Sequence, residues 1–272
     1  RYGWKVPYTL ANQGHDVGKC SSLAVDAQGI QHISYYDNTD HTLKYVQAEI
    51  GEDPSVMNTI EGSGLAVCFS VIGLDLAGNP SVSFVRGGNL YLRTLIGAGW
   101  GAELLVASGV NGAYTYYQNF GMAMESYGYP HLVYRKGNDL WYSYWTGSGF
   151  SHNLVVDELA TGNHVALALG PGNRPSIAYY EGSVLNHRTK NVLDIWVTEQ
   201  IAGSGAGVGV VLAVDPSGKV MAAYLNNIGM NLAFANRSSV CNGAPLYTCI
   251  WTRGEVVDAQ GEDYVSMAVE RN

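Results

Sequence analysis

The chain has 272 residues, a formal net charge of −8 and only 14% charged residues, with 34 glycines and 19 tyrosines against 5 phenylalanines. An acidic balance without a basic patch excludes a nucleic-acid backbone as partner. Hydrophobic content of 47% is enough for a packed core, and the Gly- and Tyr-rich, charge-poor composition describes many short strands joined by tight turns rather than helices.

In chain order, an outer strand is expected first, over Trp4–Leu10. One pattern then recurs. Leu23-Ala-Val-Asp-Ala-Gln-Gly-Ile-Gln-His-Ile-Ser-Tyr-Tyr-Asp37 is followed by relatives at Gly73–Phe84, Ala123–Tyr134, Ala168–Tyr180 and Ala213–Tyr224, and by a cut-off copy at Ser266–Glu270. The anchor positions Asp26, Asp75, Glu125, Gly170, Asp215 and Glu270 are spaced by 49, 50, 45, 45 and 55 residues. Such a period suits a four-stranded propeller blade.

Within the first copy, Ser22–Asp26 reads as an inner strand and Ala27–Gly29 as a tight turn whose glycine supplies a positive φ. Gln31–Tyr36 is the second strand and Asp37–Thr42 a polar loop. Leu43–Gln47 alternates as a half-buried third strand and Val56–Ile60 closes the sheet. Trp4, Trp100, Trp196 and Trp251 open outer strands, where they are read as packing between blades. The longest apolar runs are strand-sized, as at Val208–Val214, so no membrane span is expected.

This pattern resembles the repeat of secreted and surface-attached bacterial β-propellers. The resemblance implies an all-β fold of four-stranded antiparallel blades, and counting strands along the chain gives five complete blades plus the end strands of a sixth, in a ring of six or seven. It covers nearly all of residues 1–272, read as one propeller domain that continues past Asn272. Arg1 in place of Met is read as the loss of a leader. The resemblance speaks for fold and export more than for activity. The Ser-x-Asp-x-Gly-x-Thr-Trp turn of sialidase-type propellers and the Trp-Asp dipeptides of WD40 blades are absent from the sequence.

Four cysteines allow three pairings. Cys20 and Cys68 precede their anchors by six and seven residues, entering inner strands of adjacent blades at nearly one height. Cys241 and Cys249 flank a Pro-containing loop between the third and fourth strands of blade five. Both pairs are expected as disulfides, which places the protein in an oxidising compartment, secreted or at the cell surface.

Strand alternation puts two sets of loops on one face. Links into inner strands carry His15, Asp16, Lys19, Tyr114, Tyr116, Tyr117, Asn119, Asn163, His164 and Asp263. The second-to-third loops carry Asp37, His41, Arg86, Arg135, Lys136, Glu181 and Asn226. Eleven residues after the successive anchors stand Asp37, Arg86, Lys136, Glu181 and Asn226. Blades kept for the fold but unlike at this position favour one asymmetric site over repeated equivalent ones, with solvated drift as the alternative.

Arg86 and Arg135 suit a carboxylate or sulfate. Glu181 with Asp37 could form an acid–base pair, and His164 with Tyr116 or Tyr117 could move a proton in an elimination. None of these spacings is a motif. Arg86, Arg135, Lys136, Glu181, Asn226, Tyr116 and Asn119 are the candidate ligand contacts. His164, Tyr117, Arg86, Glu181 and Asp37 are weak candidates for catalysis. His32 and His131, both six after an anchor, are read as structural histidines bonded to the turn. Asn236-Arg-Ser238 fits a glycosylation sequon.

No cofactor or metal site is expected, with calcium at the Asp37–Asp40 loop and a metal pair at His32 and His131 as weak alternatives. The leading expectation is an extracellular binding module for a glycan or protein. The alternatives are an extracellular lyase or glycoside hydrolase acting on an acidic glycan, and a structural subunit assembling by strand exchange.

Overall fold

The computed structural model describes residues 14–49, 52, 54–63, 66–110, 119–158, 164–203, 206–226, 231–242 and 248–257. The expected strand at Trp4–Leu10 and the cut-off copy at Ser266–Glu270 lie outside them. The described residues form strands throughout, with a single 3₁₀ turn at Pro171–Asn173. No helix among them is long and apolar enough to cross a membrane.

Five antiparallel meanders follow one another. Blade one is β1 (Val17–Val25), β2 (Gln31–Asp37), β3 (Thr42–Ala48) and β4 (Val56–Glu61). Blade two is β5 (Ala66–Leu74), β6 (Pro80–Arg86) and β7 (Asn89–Ile96), with an outer edge split into β8 (Gly99–Trp100) and β9 (Leu104–Ser108). Blade three is β10 (Phe120–Met124), β11 (Pro130–Lys136), β12 (Asp139–Trp145) and β13 (Phe150–Val156). Blade four is β14 (Val165–Gly170), β15 (Arg174–Glu181), β16 (Val184–Lys190) and β17 (Trp196–Ala202). Blade five is β18 (Ala206–Val214), β19 (Val220–Asn226), β20 (Asn231–Asn242) and β21 (Thr248–Val257).

The expected strands of blade one are met to within a few residues at most. Blade two departs from the pattern, because both β8 and β9 pair with β7. Arg93 donates to the carbonyls of Gly101 and Trp100, and Gly101 N–H returns to Thr94, which holds the break open.

The anchor residue explains the repeat. Asp26 Oδ1 accepts the backbone N–H of Gln28 and Ile30 at 2.9 and 2.8 Å. Asp75 Oδ1 accepts those of Ala77 and Asn79 at 2.9 and 2.8 Å, and Asp215 Oδ1 that of Lys219 at 2.9 Å. A short carboxylate thus satisfies the turn's donors. Glu125 is one methylene longer and reaches instead to Asn173 of the following blade. Gly170 has no side chain, and a 3₁₀ turn takes over.

The chain divides into two compact units: Arg1–Thr115 with Ser126–Tyr129, and Tyr116–Glu125 with Pro130–Asn272. In the first, Leu43, Tyr45 and Ile60 of blade one pack on Ile72, Val82 and Phe84 of blade two. Cys20 and Cys68 form the expected disulfide between β1 and β5, with Cα atoms 5.6 Å apart. In the second, Val133, Leu140, Tyr142 and Val155 meet Val165, Leu167, Ile177 and Tyr179, and a further cluster joins blades four and five. Cys249 is disulfide-bonded, and Cys241 stands directly across from it in the β20–β21 ladder.

The outer-strand tryptophans do pack between blades. Trp100 lies edge-on to Tyr45 at 5.4 Å in the first unit. Trp196 lies edge-on to Tyr142 at 5.7 Å, and Trp251 meets His187 at 5.2 Å, in the second. Each ring sits on the third strand of the preceding blade, at one register position. Trp4 lies outside the described residues.

Candidate functional site

Asp37, Arg86, Lys136, Glu181 and Asn226 are the last residues of β2, β6, β11, β15 and β19. The repeat therefore does deliver five different side chains to one place in five blades. Their surroundings differ sharply.

In the first unit both are engaged within the protein. Asp37 is buried. Its Oδ1 accepts Thr39 and Asp40 N–H at 2.9 and 3.1 Å, while Lys44 Nζ and His15 Nδ1 lie 2.5 and 3.0 Å from Oδ2. Burial alone would raise this carboxyl's pKa. The Lys44 ammonium and the converging donors overcome it and hold the group well below the usual carboxylate range. Asp37 is thus a fixed anion and cannot donate a proton near neutrality. One ligand atom each from His15, Asp37 and Asp40 falls within 4.8 Å, as a cation site would require. Lys44, also 3.2 Å from Asp40, already supplies the positive charge there.

Arg86 forks onto Glu103 at 2.5 and 3.0 Å, reaches Glu61 at 3.3 Å and lies 4.6 Å over the Tyr91 ring. The forked geometry expected for a bound carboxylate is present, but its partner is the chain's own Glu103. That pair ties the end of β6 to the segment between β8 and β9.

The second unit differs. Lys136 and Glu181 are exposed at their strand ends, and Glu181 accepts the Asn186 amide at 3.1 Å. Asn226 is half-buried between Ala206 and Asn231 in register. Behind this rim lie Asn119, Arg135 and His164, all buried. Asn119 and His164 stand one residue before β10 and β14, at the repeat position that Cys20 occupies in blade one. Arg135 N–H donates to the Asn119 carbonyl at 3.1 Å, fixing the two together. Burial pushes the Arg135 guanidinium pKa down. The Asn119 side-chain oxygen is buried and accepts no hydrogen bond among the described residues, which is uncommon for such an atom in a native fold. Tyr114, Tyr116, Tyr117, Asn163 and Asp263 lie outside the described residues.

His32 and His131 have the structural role expected of them. His32 bridges the Tyr45 hydroxyl at 2.7 Å and Asp26 at 3.4 Å. His131 repeats this with Tyr142 at 2.5 Å and Glu125 at 3.8 Å, and burial drives its pKa down to about 4.

The most highly coordinated acid escaped the sequence reading. Glu199 of β17 is buried and accepts Arg237 at 2.8 and 2.6 Å, Cys249 N–H at 3.0 Å and Trp251 Nε1 at 3.1 Å, with His187 Nδ1 at 3.2 Å. Burial would raise its pKa, but Arg237 and His187 hold it down at about 2. This is a lock between blades four and five. A signal for it does exist: in Val197-Thr-Glu-Gln-Ile201 a glutamate occupies an inward position of an alternating strand.

No family model matches the chain, and no curated protein matches it. Solved structures do. A protein of unknown function from Dyadobacter fermentans is similar over 92% of this chain and 85% of its own, with a TM-score of 0.61 at 11% identity. The β-propeller domain of Cps50 (Swd1) from Myceliophteria thermophila is similar over 86% of this chain and 71% of its own, with a TM-score of 0.56 at 10% identity. The GH93 α-L-arabinofuranosidase of Fusarium graminearum, solved with arabinobiose, is similar over 92% and 83%, with a TM-score of 0.55 at 12% identity. At such identities the likeness is one of fold. The chain has a β-propeller fold of four-stranded antiparallel blades, the outer strand of the second being split.

Proposed function

We propose that the chain is an extracellular binding module, and that its ligand is held at the second-strand ends of blades three and four. The observation that carries this is the contrast at one register position. Asp37 and Arg86 are bound up in internal ion pairs, whereas Lys136 and Glu181 are exposed above the buried Asn119, Arg135 and His164. Exposed charges of opposite sign on rigid strand ends fit a polar ligand such as a glycan or a protein loop. Disulfide bonding fits an oxidising compartment, and hence secretion or surface display. Binding is favoured over glycan cleavage because one of the proposed carboxylate pair, Asp37, is sealed beneath Lys44 and permanently charged.

The test is a glycan array followed by titration of the best hit against wild type, Lys136→Ala and Glu181→Ala. Both substitutions are exposed and leave folding intact. At least tenfold weaker binding in either variant supports the reading. Unchanged affinity in both, or release of new reducing ends or unsaturated products from the ligand, sinks it.

A further inference from the structure

The opposite ends of the strands carry a second feature that the fold does not need. The turns between first and second strands are set by the anchor acid and by a glycine three residues later, at Gly29, Gly78, Gly128 and Gly218, all with positive φ. The remaining turn positions are free to vary. In blade one they are Ala27 and Gln28, and in blade five Pro216 and Ser217. In blade three they are Ser126 and Tyr127, with Tyr129 directly after the glycine. Tyr127 is 86% exposed and Tyr129 41%. Beside them in the same compact unit is Leu76, 79% exposed, from the turn of blade two.

These two turns form one rigid surface. Leu76 N–H donates to the Ser126 carbonyl at 3.3 Å. Gly128 is pressed against the Asp75 side chain so closely that a Cβ there would lie 3.1 Å from Asp75 Cβ. Asp75 also accepts the Asn79 side-chain amide at 2.8 Å, which fixes the orientation of that exposed amide. The surface thus presents two exposed phenol rings, an aliphatic side chain and a fixed amide oxygen. Aromatic faces stack on the C–H face of a sugar ring, and amide oxygens accept its hydroxyls. The one charged side chain within these two turns, residues 75–79 and 126–129, is an acid, Asp75, which disfavours an anionic ligand.

We propose that Tyr127, Tyr129, Leu76 and Asn79 form a platform for an uncharged polysaccharide, separate from the Lys136–Glu181 rim. Affinity electrophoresis in native gels tests it, with hydroxyethylcellulose, xylan, laminarin or polygalacturonate cast into the gel. Retardation by at least one of the three neutral polymers is expected. Tyr127→Ala and Tyr129→Ala should each weaken it tenfold or more, while Lys136→Ala leaves it unchanged. Matching circular dichroism spectra verify that the tyrosine variants fold. The platform is overturned if none of the neutral polymers retards the protein, if only polygalacturonate does, or if the tyrosine variants migrate as wild type. A loss in Lys136→Ala alone assigns the binding to the rim and equally overturns it.

Discussion

Two residues show how burial and donors together set chemistry. Asp37 and Glu199 are buried carboxylates, which desolvation alone would neutralise. Each remains ionised because basic side chains and backbone N–H groups converge on it. For Glu199 the folded pKa is about 2 against an ordinary value of 4.5. A depressed carboxylate contributes stability that is complete above its unfolded pKa and is lost as pH falls through the folded one. Glu199 should therefore contribute about 3 kcal/mol at neutral pH, fading between about pH 5 and 2. Glu199→Gln should lower stability at pH 7 by about 3 kcal/mol or more, since Arg237 is left without its counter-charge. The variant should also lose less stability than wild type between pH 5 and 3. Urea unfolding at the three pH values measures both. Gly128 is a second case. Its φ is +85° and its missing Cβ makes room for Asp75, so Gly128→Ala should destabilise by at least about 1 kcal/mol. Gly29, the equivalent turn glycine of blade one, has a φ of +84° and nothing within 4 Å of where a Cβ would stand, so its alanine variant carries the backbone strain alone and makes a useful comparison.

At the scale of elements, the repeated device is a ring on the third strand of one blade and a tryptophan on the outer strand of the next. Tyr45 with Trp100, Tyr142 with Trp196 and His187 with Trp251 share this geometry. Edge-on aromatic pairs add to the area they bury. Trp251 also donates to Glu199, so its two contributions can be separated by mutation. Trp251→Phe keeps a ring and loses the donor, and should cost about 1–2 kcal/mol. Trp251→Ala loses both and should cost about 3–5 kcal/mol. A Trp251→Phe variant as stable as wild type in chemical denaturation would refute the separate role of the indole N–H. Much of this was legible beforehand. Strand edges in blade one followed from alternation and turn glycines, and the tryptophans were marked by their common place in the repeat. The split outer edge of blade two was not, because Arg93 holds it open through carbonyls brought near only by folding.

For the molecule as a whole, the Cys20–Cys68 disulfide closes a loop with a sequence separation of 48 residues. Restricting the unfolded chain over that length should be worth about 4 kcal/mol. The Cys20→Ser, Cys68→Ser double variant should show a Tm several degrees lower, by calorimetry under non-reducing conditions. A Tm unchanged within error would mean that the native state loses strain equal to the gain. The sequence by itself determined the blade repeat, the turn chemistry, the cysteine positions and the register that places Asp37, Arg86, Lys136, Glu181 and Asn226 at equivalent strand ends. All of these rest on local periodicity, which a single chain displays directly. Only the tertiary structure decided which of those five are tied into internal ion pairs. Asp37 meets Lys44 seven residues on and His15 twenty-two residues back, and Arg86 meets Glu61 at the end of β4 and Glu103 between β8 and β9. Glu199 likewise gathers donors from up to 52 residues away. Charge pairing acts through space, so residues that share a repeat position acquire different roles from the neighbours that folding brings to them.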